Sequence, residues 1–362
     1  MSQWPEYREA RSSWLWPSKR TFVRVQTDDG LEGWGITNGG EVTELIVNHH
    51  LGPLITGQSA EDIEDLWERM FRSLLPVDRS GFTMMAIAAV DIALWDLRCQ
   101  RAGKSLTEIL GGTRRDSLHA YATTVRPSHH SGAPWWGLKA AAPYGPSCDE
   151  KSLDHNVSLM RDFRAVVGDT HPIMIDAFMA WDADYTLAFF DKAQELGVFW
   201  IEDPVPPQDL RALEAVKIGL DGRTKLALGN FASHRWECDT LLREGLVDIL
   251  QPDVCWAGGI TETLRIFDLA DAANAPVILH NTCEQPWAIA LAAVKQKIPV
   301  VEFVDRGDRS PLYDPMGPAA IFEAGKLILS NHVPAPRADL RAACRSQWGE
   351  DHAIERISNG LS

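Results

Sequence analysis

From Gly112 to about residue 304 the sequence repeats one unit: a short apolar run, a turn, then a longer stretch with helical periodicity. The apolar runs fall at 118–122, 137–141, 172–177, 199–202, 225–228, 248–251, 276–279 and 300–304, with helical stretches between them such as 184–196, 233–243 and 260–274. A strand that leads through a helix to another strand of the same sheet returns parallel to it. Eight such units in about 190 residues are the pattern of a TIM-type (β/α) barrel. A doubly wound open sheet is the competing architecture, but no G-x-G-x-x-G follows a first strand to cradle a dinucleotide.

The N-terminal third is built differently. Residues 20–37 alternate apolar and polar side chains around Asp28, Asp29 and Gly30, which predicts a β-hairpin. Helical periodicity takes over from Val42 to about Leu75, and again from Met84 to Ala102, where Gly103 stops it. Residues after about 335 return to polar helix and loop, which are expected to close back on this first region.

A chain of 362 residues is long enough for a barrel of roughly 250 residues plus a smaller α+β domain. Its 45% apolar content and 14 tryptophans supply a sizeable core. A formal net charge of −15 argues against nucleic-acid or anionic-membrane binding, which both need clustered Lys and Arg. An anionic substrate must therefore meet a local positive feature. The opening MSQWPEYREARSSW is polar, and no run of about 18 apolar residues occurs, so the expected location is cytoplasmic. Cys99, Cys148, Cys238, Cys255, Cys283 and Cys344 form no C-x-x-C pair and are expected to be reduced thiols rather than disulfides or zinc ligands.

Barrel enzymes carry their reactive groups at the C-terminal ends of the strands. Here those ends read Asp176, Glu202, Asn230, Asp253, His280 and Glu302. Asp176, Glu202 and Asn230 are oxygen donors on adjacent strands, a set that suits a hard divalent cation with open positions and favours Mg2+. The alternative reading of any one acid is a helix cap. His280 and Asp253 lie on neighbouring strands, so the carboxylate is expected to fix the imidazole tautomer and make a general base. Glu302, if burial keeps it protonated, would donate a hydrogen bond to a developing enolate oxygen. Together these parts suit the removal of the weakly acidic proton α to a carboxylate while a chelated cation stabilises the enolate. With a hydroxyl on the next carbon, the imidazolium would return the proton to the departing oxygen and leave a keto acid.

Nearly the whole chain resembles the enolase superfamily, mandelate-racemase-type subgroup, and within it the L-rhamnonate dehydratase-like sugar-acid dehydratases. The resemblance runs through Val90-Asp91-Ile92-Ala93-Leu94-Trp95-Asp96-Leu97, Leu110-Gly111-Gly112, Tyr121-Ala122-Thr123, Trp200-Ile201-Glu202, Gln251-Pro252-Asp253-Val254 and Trp256-Ala257-Gly258-Gly259. It implies a capping domain over residues 1–115, a modified barrel over 116–330, and a segment, 331–362, that returns to the cap. It further implies Mg2+ on Asp176, Glu202 and the position of Asn230, a His280–Asp253 base dyad, Glu302 as the strand-eight acid, and a homo-oligomer, octamer or dimer. The expected activity is dehydration of a six- or five-carbon aldonate-type acid to its 2-keto-3-deoxy product. Epimerase or cycloisomerase chemistry through the same enolate, and a catalytically silent metabolite-binding relative, are the alternatives.

The sequence departs from the family pattern in places. Most relatives have Glu where this chain has Asn230, although the glucarate-dehydratase branch also uses Asn. Rhamnonate-type enzymes follow that ligand with His, where this chain has Phe231. Strand two gives Leu138-Lys139-Ala140-Ala141, without the Lys-x-Lys that supplies a second base elsewhere in the superfamily, a feature shared with the rhamnonate branch. Lys139 is either a substrate-orienting group or a salt-bridge partner at the mouth, and Phe231 and Asn281 are the other candidate substrate contacts. The family's first capping strand has no clear counterpart before Trp4–Trp14. His49-His50 is expected to be structural or on the surface. His129-His130 with Trp135-Trp136 is expected to pack a loop, and Gly258-Gly259 either to approach an anion or to make a tight turn.

Overall fold

The computed structural model of the chain describes residues 20–305 and 322–329. β1 (Arg20–Gln26) and β2 (Glu32–Asn38) pair antiparallel as the expected hairpin, with Arg20 opposite Asn38. The helical stretch expected from Val42 to Leu75 is divided into α1 (Glu41–Ile46), a π turn over Val47–Leu51, α2 (Gly52–Ile55) and α3 (Ile63–Leu74). The break follows from extended backbone at Thr56 and a left-handed Gly57, φ +76°.

Next comes α4 (Phe82–Ala102), buried around its whole circumference from Thr83 to Trp95. A helix apolar on all sides must be sandwiched. On one side β2 lies so close that a Cβ on Gly35 would stand 1.9 Å from the Ala89 carbonyl oxygen. A left-handed Gly103 ends α4, and α5 (Leu106–Ile109) starts on a capping box of Ser105 and Glu108.

The barrel follows as β3 (Ser117–Thr124), β4 (Leu138–Ala141), α6 (Ser152–Val167), β5 (Ile173–Asp176), α7 (Ala183–Ala193), β6 (Val198–Glu202), α8 (Leu210–Leu220), β7 (Lys225–Leu228), α9 (Arg235–Arg243), β8 (Ile249–Leu250), α10 (Gly259–Ala272), α11 (Pro286–Val294) and β9 (Val301–Val304). Parallel pairing runs in order from β3 to β8, and β9 pairs back onto β3, with Tyr121 opposite Glu302. The strand expected at 276–279 is reduced to a bridge between Val277 and Leu250. A short hairpin, β10 (Phe322–Glu323) and β11 (Lys326–Ile328), pairs antiparallel with the start of β3.

The cap meets the barrel near the turn after β8. Thr37 Oγ1 donates to the Cys255 carbonyl at 3.1 Å, Trp67 Nε1 to the Gly258 carbonyl at 2.7 Å, and Trp95 Nε1 to Thr261 Oγ1 at 2.9 Å. The five described cysteines form no disulfide with one another, and no helix among the described residues is long and apolar enough to cross a membrane. Cys344, the segment 331–362 and the region before Trp14 lie outside the described residues.

Candidate active site

One ring of side chains closes the barrel interior: Tyr121, Met174, Trp200, Ala227, Ile249, Ile278 and Val300. Tyr121 meets Trp200 edge to face, with ring centroids 5.2 Å apart. Strand side chains alternate, so the residue two positions on from each ring member enters the barrel one layer higher, toward the strands' C-terminal ends. That step leads from Tyr121 to Thr123, Met174 to Asp176, Trp200 to Glu202, Ile249 to Gln251 and then Asp253, Ile278 to His280, and Val300 to Glu302. The polar layer therefore rests on an apolar floor by strand geometry alone.

At its centre Lys139 is buried to 1% side-chain exposure. Its ammonium donates to Oε1 and Oε2 of Glu202 at 2.7 Å each and lies 2.9 Å from Glu302 Oε1. Burial alone would strip this lysine of its proton, but the two carboxylates hold its pKa well above the ordinary range. Burial pushes Glu202 up to about 7 against the pull of Lys139, with Asp176 and Glu302 adding to the rise. Lys139 is thus an ion-pair partner of both Glu202 and Glu302.

Glu302 reverses the expectation of a protonated acid. Burial would raise its pKa, but Lys139, the His280 charge, the Thr123 hydroxyl at 2.6 Å and the Asn281 N–H at 2.8 Å bring it down to about 2. It is a carboxylate at neutral pH. Asn281, a candidate substrate contact, has left-handed backbone, φ +52°, and spends its N–H on Glu302.

His280 and Asp253 come together as expected, with Nδ1 to Oδ2 at 2.7 Å. Gln285 Nε2 donates to the same carboxylate oxygen at 3.0 Å, and the Cys255 N–H to Oδ1 at 2.7 Å. Asp253 is fully buried while the His280 side chain keeps 21% exposure, so the ring is the part that faces the mouth. Burial would lower the imidazole pKa, but the Asp253 hydrogen bond and the charges of Glu302 and Asp253 outweigh it and raise it to about 9.

Asp176 ends β5, directly opposite Glu202 in the parallel register, and its Oδ1 accepts the Phe178 N–H at 2.8 Å. Asn230 follows Gly229, φ +120°, which turns the chain out of β7. The Asn230 Oδ1 is buried without a hydrogen-bond partner. Among the described residues no three His, Cys, Asp or Glu side chains converge into a ready-made metal cage. Asp203, which strand alternation does not single out, is buried here as well, with an unpartnered Oδ2 and left-handed backbone, φ +39°. Burial, then the charges of Glu202 and Asp176, push its pKa well above the usual carboxylate range.

Phe231 packs edge to face between Phe178 and Trp256, at 5.1 and 5.3 Å, so an aromatic rim stands beside Asn230. His130 is a packing residue: Nδ1 accepts from Trp135 Nε1 at 2.9 Å and Nε2 lies 3.0 Å from Asp305. His50 is exposed and pairs with Ser73. The turn at Gly258-Gly259 is not open to an anionic substrate. Asp91 of α4 occupies it, accepting the Thr261 N–H at 3.0 Å, and a Cβ on Gly259 would stand 2.4 Å from Asp91 Oδ2.

Residues 132–333 match the family described as Enolase C-terminal domain-like, and residues 17–111 match the Mandelate racemase / muconate lactonizing enzyme, N-terminal domain. Among solved structures, an L-rhamnonate dehydratase from Gibberella zeae is 26% identical with a TM-score of 0.88, over 96% of this chain and 89% of that one. A rhamnonate dehydratase from the same organism, complexed with Mg, is 25% identical with a TM-score of 0.85, over 99% and 86%. A racemase from Streptomyces coelicolor A3(2) with bound magnesium is 26% identical with a TM-score of 0.70, over 78% and 86%.

Proposed function

The chain belongs to the enolase superfamily, and from that premise we propose that it is a Mg2+-dependent dehydratase of an aldonate-type sugar acid, L-rhamnonate-like in class. The observation that carries the proposal is the His280–Asp253 dyad, 2.7 Å apart, beside a group of buried oxygen ligands. Enolase-type sites in general pair a Lys or His base with magnesium.

Asp176, Glu202 and Asn230 would hold the cation. The donor set is oxygen throughout, and the buried, partnerless Asn230 Oδ1 can only accept, which suits a hard cation. Bound there, Mg2+ would take up the negative charge that builds on the substrate carboxylate as its α proton leaves.

The protein's own groups do the rest. With Nδ1–H donated to Asp253, a deprotonated His280 carries its lone pair on Nε2, the nitrogen that receives the α proton. The charges of Glu302 and Asp253 stabilise the imidazolium between the two proton transfers. The same Nε2 then gives its proton to the β-hydroxyl as the C–O bond breaks, releasing water. The enol that remains becomes the 2-keto-3-deoxy acid. One group on one face does both transfers, a syn elimination. Epimerisation needs a second base, and Lys139, protonated between two carboxylates, is a poor one.

Incubation with Mg2+ and a panel of aldonates and aldarates, with semicarbazide detection of 2-keto acids, tests the proposal. Turnover abolished by EDTA and by His280→Asn supports it. A ligand that raises the melting temperature without turnover favours the metabolite-binding reading, for which Asn230 and the aromatic wall at Phe231 are the motivating features.

A further inference from the structure

The base dyad is held from a side that the proton transfers do not use. Gln285 stands immediately before Pro286, which favours extended backbone at the residue it follows, and its φ of −114° and ψ of 111° are of that kind. It ends the single turn Thr282–Glu284 and precedes α11, a helix buried along its length from Trp287 to Val294. Gln285 is 0% exposed and Trp287 4%, so both side chains must satisfy their polar atoms inside the protein.

The chemistry of its partners allows the Gln285 amide one orientation. The Trp287 indole N–H can only donate, and it donates to Gln285 Oε1 at 2.9 Å. That turns the amide nitrogen to Asp253, where Nε2 donates to Oδ2 at 3.0 Å, the same oxygen that meets His280 Nδ1 at 2.7 Å. A flipped amide would set oxygen against carboxylate and N–H against N–H. With the Cys255 N–H on Oδ1 at 2.7 Å, the two oxygens of Asp253 are pinned by separate segments, the turn after β8 and the start of α11. The carboxylate therefore cannot rotate away from the imidazole.

Resting on the role of the dyad proposed above, we propose that Gln285, oriented by Trp287, is a positioning residue for the base. It keeps the Asp253 carboxylate aimed at His280 Nδ1 and, by sharing Oδ2, weakens that oxygen's hold on the imidazolium. A carboxylate stripped of one donor attracts the remaining cationic one more strongly, so loss of the amide raises the proton affinity of His280. The other charged groups that act with the ring, Glu302 of β9, Lys139 of β4 and Asp203 after β6, are unchanged by substitutions in α11.

The test is NMR titration of the His280 ring in the metal-free protein for the parent, Gln285→Met and Trp287→Phe, beside pH profiles of kcat/KM on the full chain. Gln285→Met keeps the length of the side chain without its donor, and the His280 midpoint is expected to rise by about one pH unit, the size of one charge-assisted hydrogen bond. Trp287→Phe leaves the amide but frees it to turn, so the midpoint rises by less. In both variants the rising limb of kcat/KM moves to higher pH with the ring, and at neutral pH kcat falls while KM stays within about twofold. A midpoint that is unchanged or lower in Gln285→Met overturns the proposal, and so does a rise in Gln285→Met that Trp287→Phe does not share. Should Gln285→Met fail to fold, Trp287→Phe decides by the same reading. The ring titration needs no substrate, so a raised midpoint with no turnover of any acid in the panel supports the role of Gln285 and sinks the dehydratase reading alone.

Discussion

Lys139 and Glu202 are joined through both carboxylate oxygens at 2.7 Å in a layer where each side chain is only 1% exposed. Removing one member of a buried ion pair leaves the other as an uncompensated charge, which typically costs about 3–5 kcal/mol. Lys139→Ala leaves two such carboxylates, Glu202 and Glu302, and is expected to lose stability of at least that order in urea unfolding. A loss below about 1 kcal/mol, the size of an exposed pair, would show that Lys139 does not hold the layer together.

The proton on His280 gives a pH signature. Its pKa is raised from 6.5 to about 9, so in the metal-free protein an NMR titration of its ring is expected to show a midpoint near the upper value. Asp253→Asn removes the charge and leaves at most a weaker, neutral hydrogen bond, and the midpoint should fall toward 6.5. A base acts deprotonated, so kcat/KM rises with pH along this limb, and the limb moves to lower pH in Asp253→Asn. For stability the sign is opposite. A folded-state pKa above the unfolded one contributes stability that is full below about 6.5 and lost as pH rises through about 9. An unchanged ring titration in Asp253→Asn would remove Asp253 as the cause.

Gly259 opens α10 with φ +94° and its missing Cβ facing the Asp91 carboxylate. Gly259→Ala meets both backbone strain and overlap, each costing on the order of 1–3 kcal/mol. Its melting temperature is expected to drop, whereas Gly30→Ala, also left-handed but with open space around it, is expected to drop less.

What is legible in the sequence follows from periodicity. Alternation along the strands places Asp176, Glu202, His280 and Glu302 in one layer, because each lies two residues beyond a floor residue. Features that depend on three-dimensional approach are not legible. No spacing shows that Lys139 sits between Glu202 and Glu302, and for that reason the sequence suggests a protonated Glu302 where the fold holds it ionised. Asp203 escapes notice because alternation points it outward, and a positive φ at a non-glycine residue leaves no mark in the sequence. Gly258-Gly259 has the look of an anion-binding turn, and the side chain that fills it is Asp91, from α4 far earlier in the chain.

The most direct test is dehydration kinetics of the parent and His280→Asn side by side, with Mn2+ affinity and melting temperature measured on both. A proton-moving His280 predicts that kcat for an accepted aldonate falls by about 10²- to 10⁴-fold, the usual contribution of a general acid–base group, while metal affinity is kept. Turnover retained within a few-fold in His280→Asn would contradict it, because the dyad with Asp253 would then not be what moves the proton.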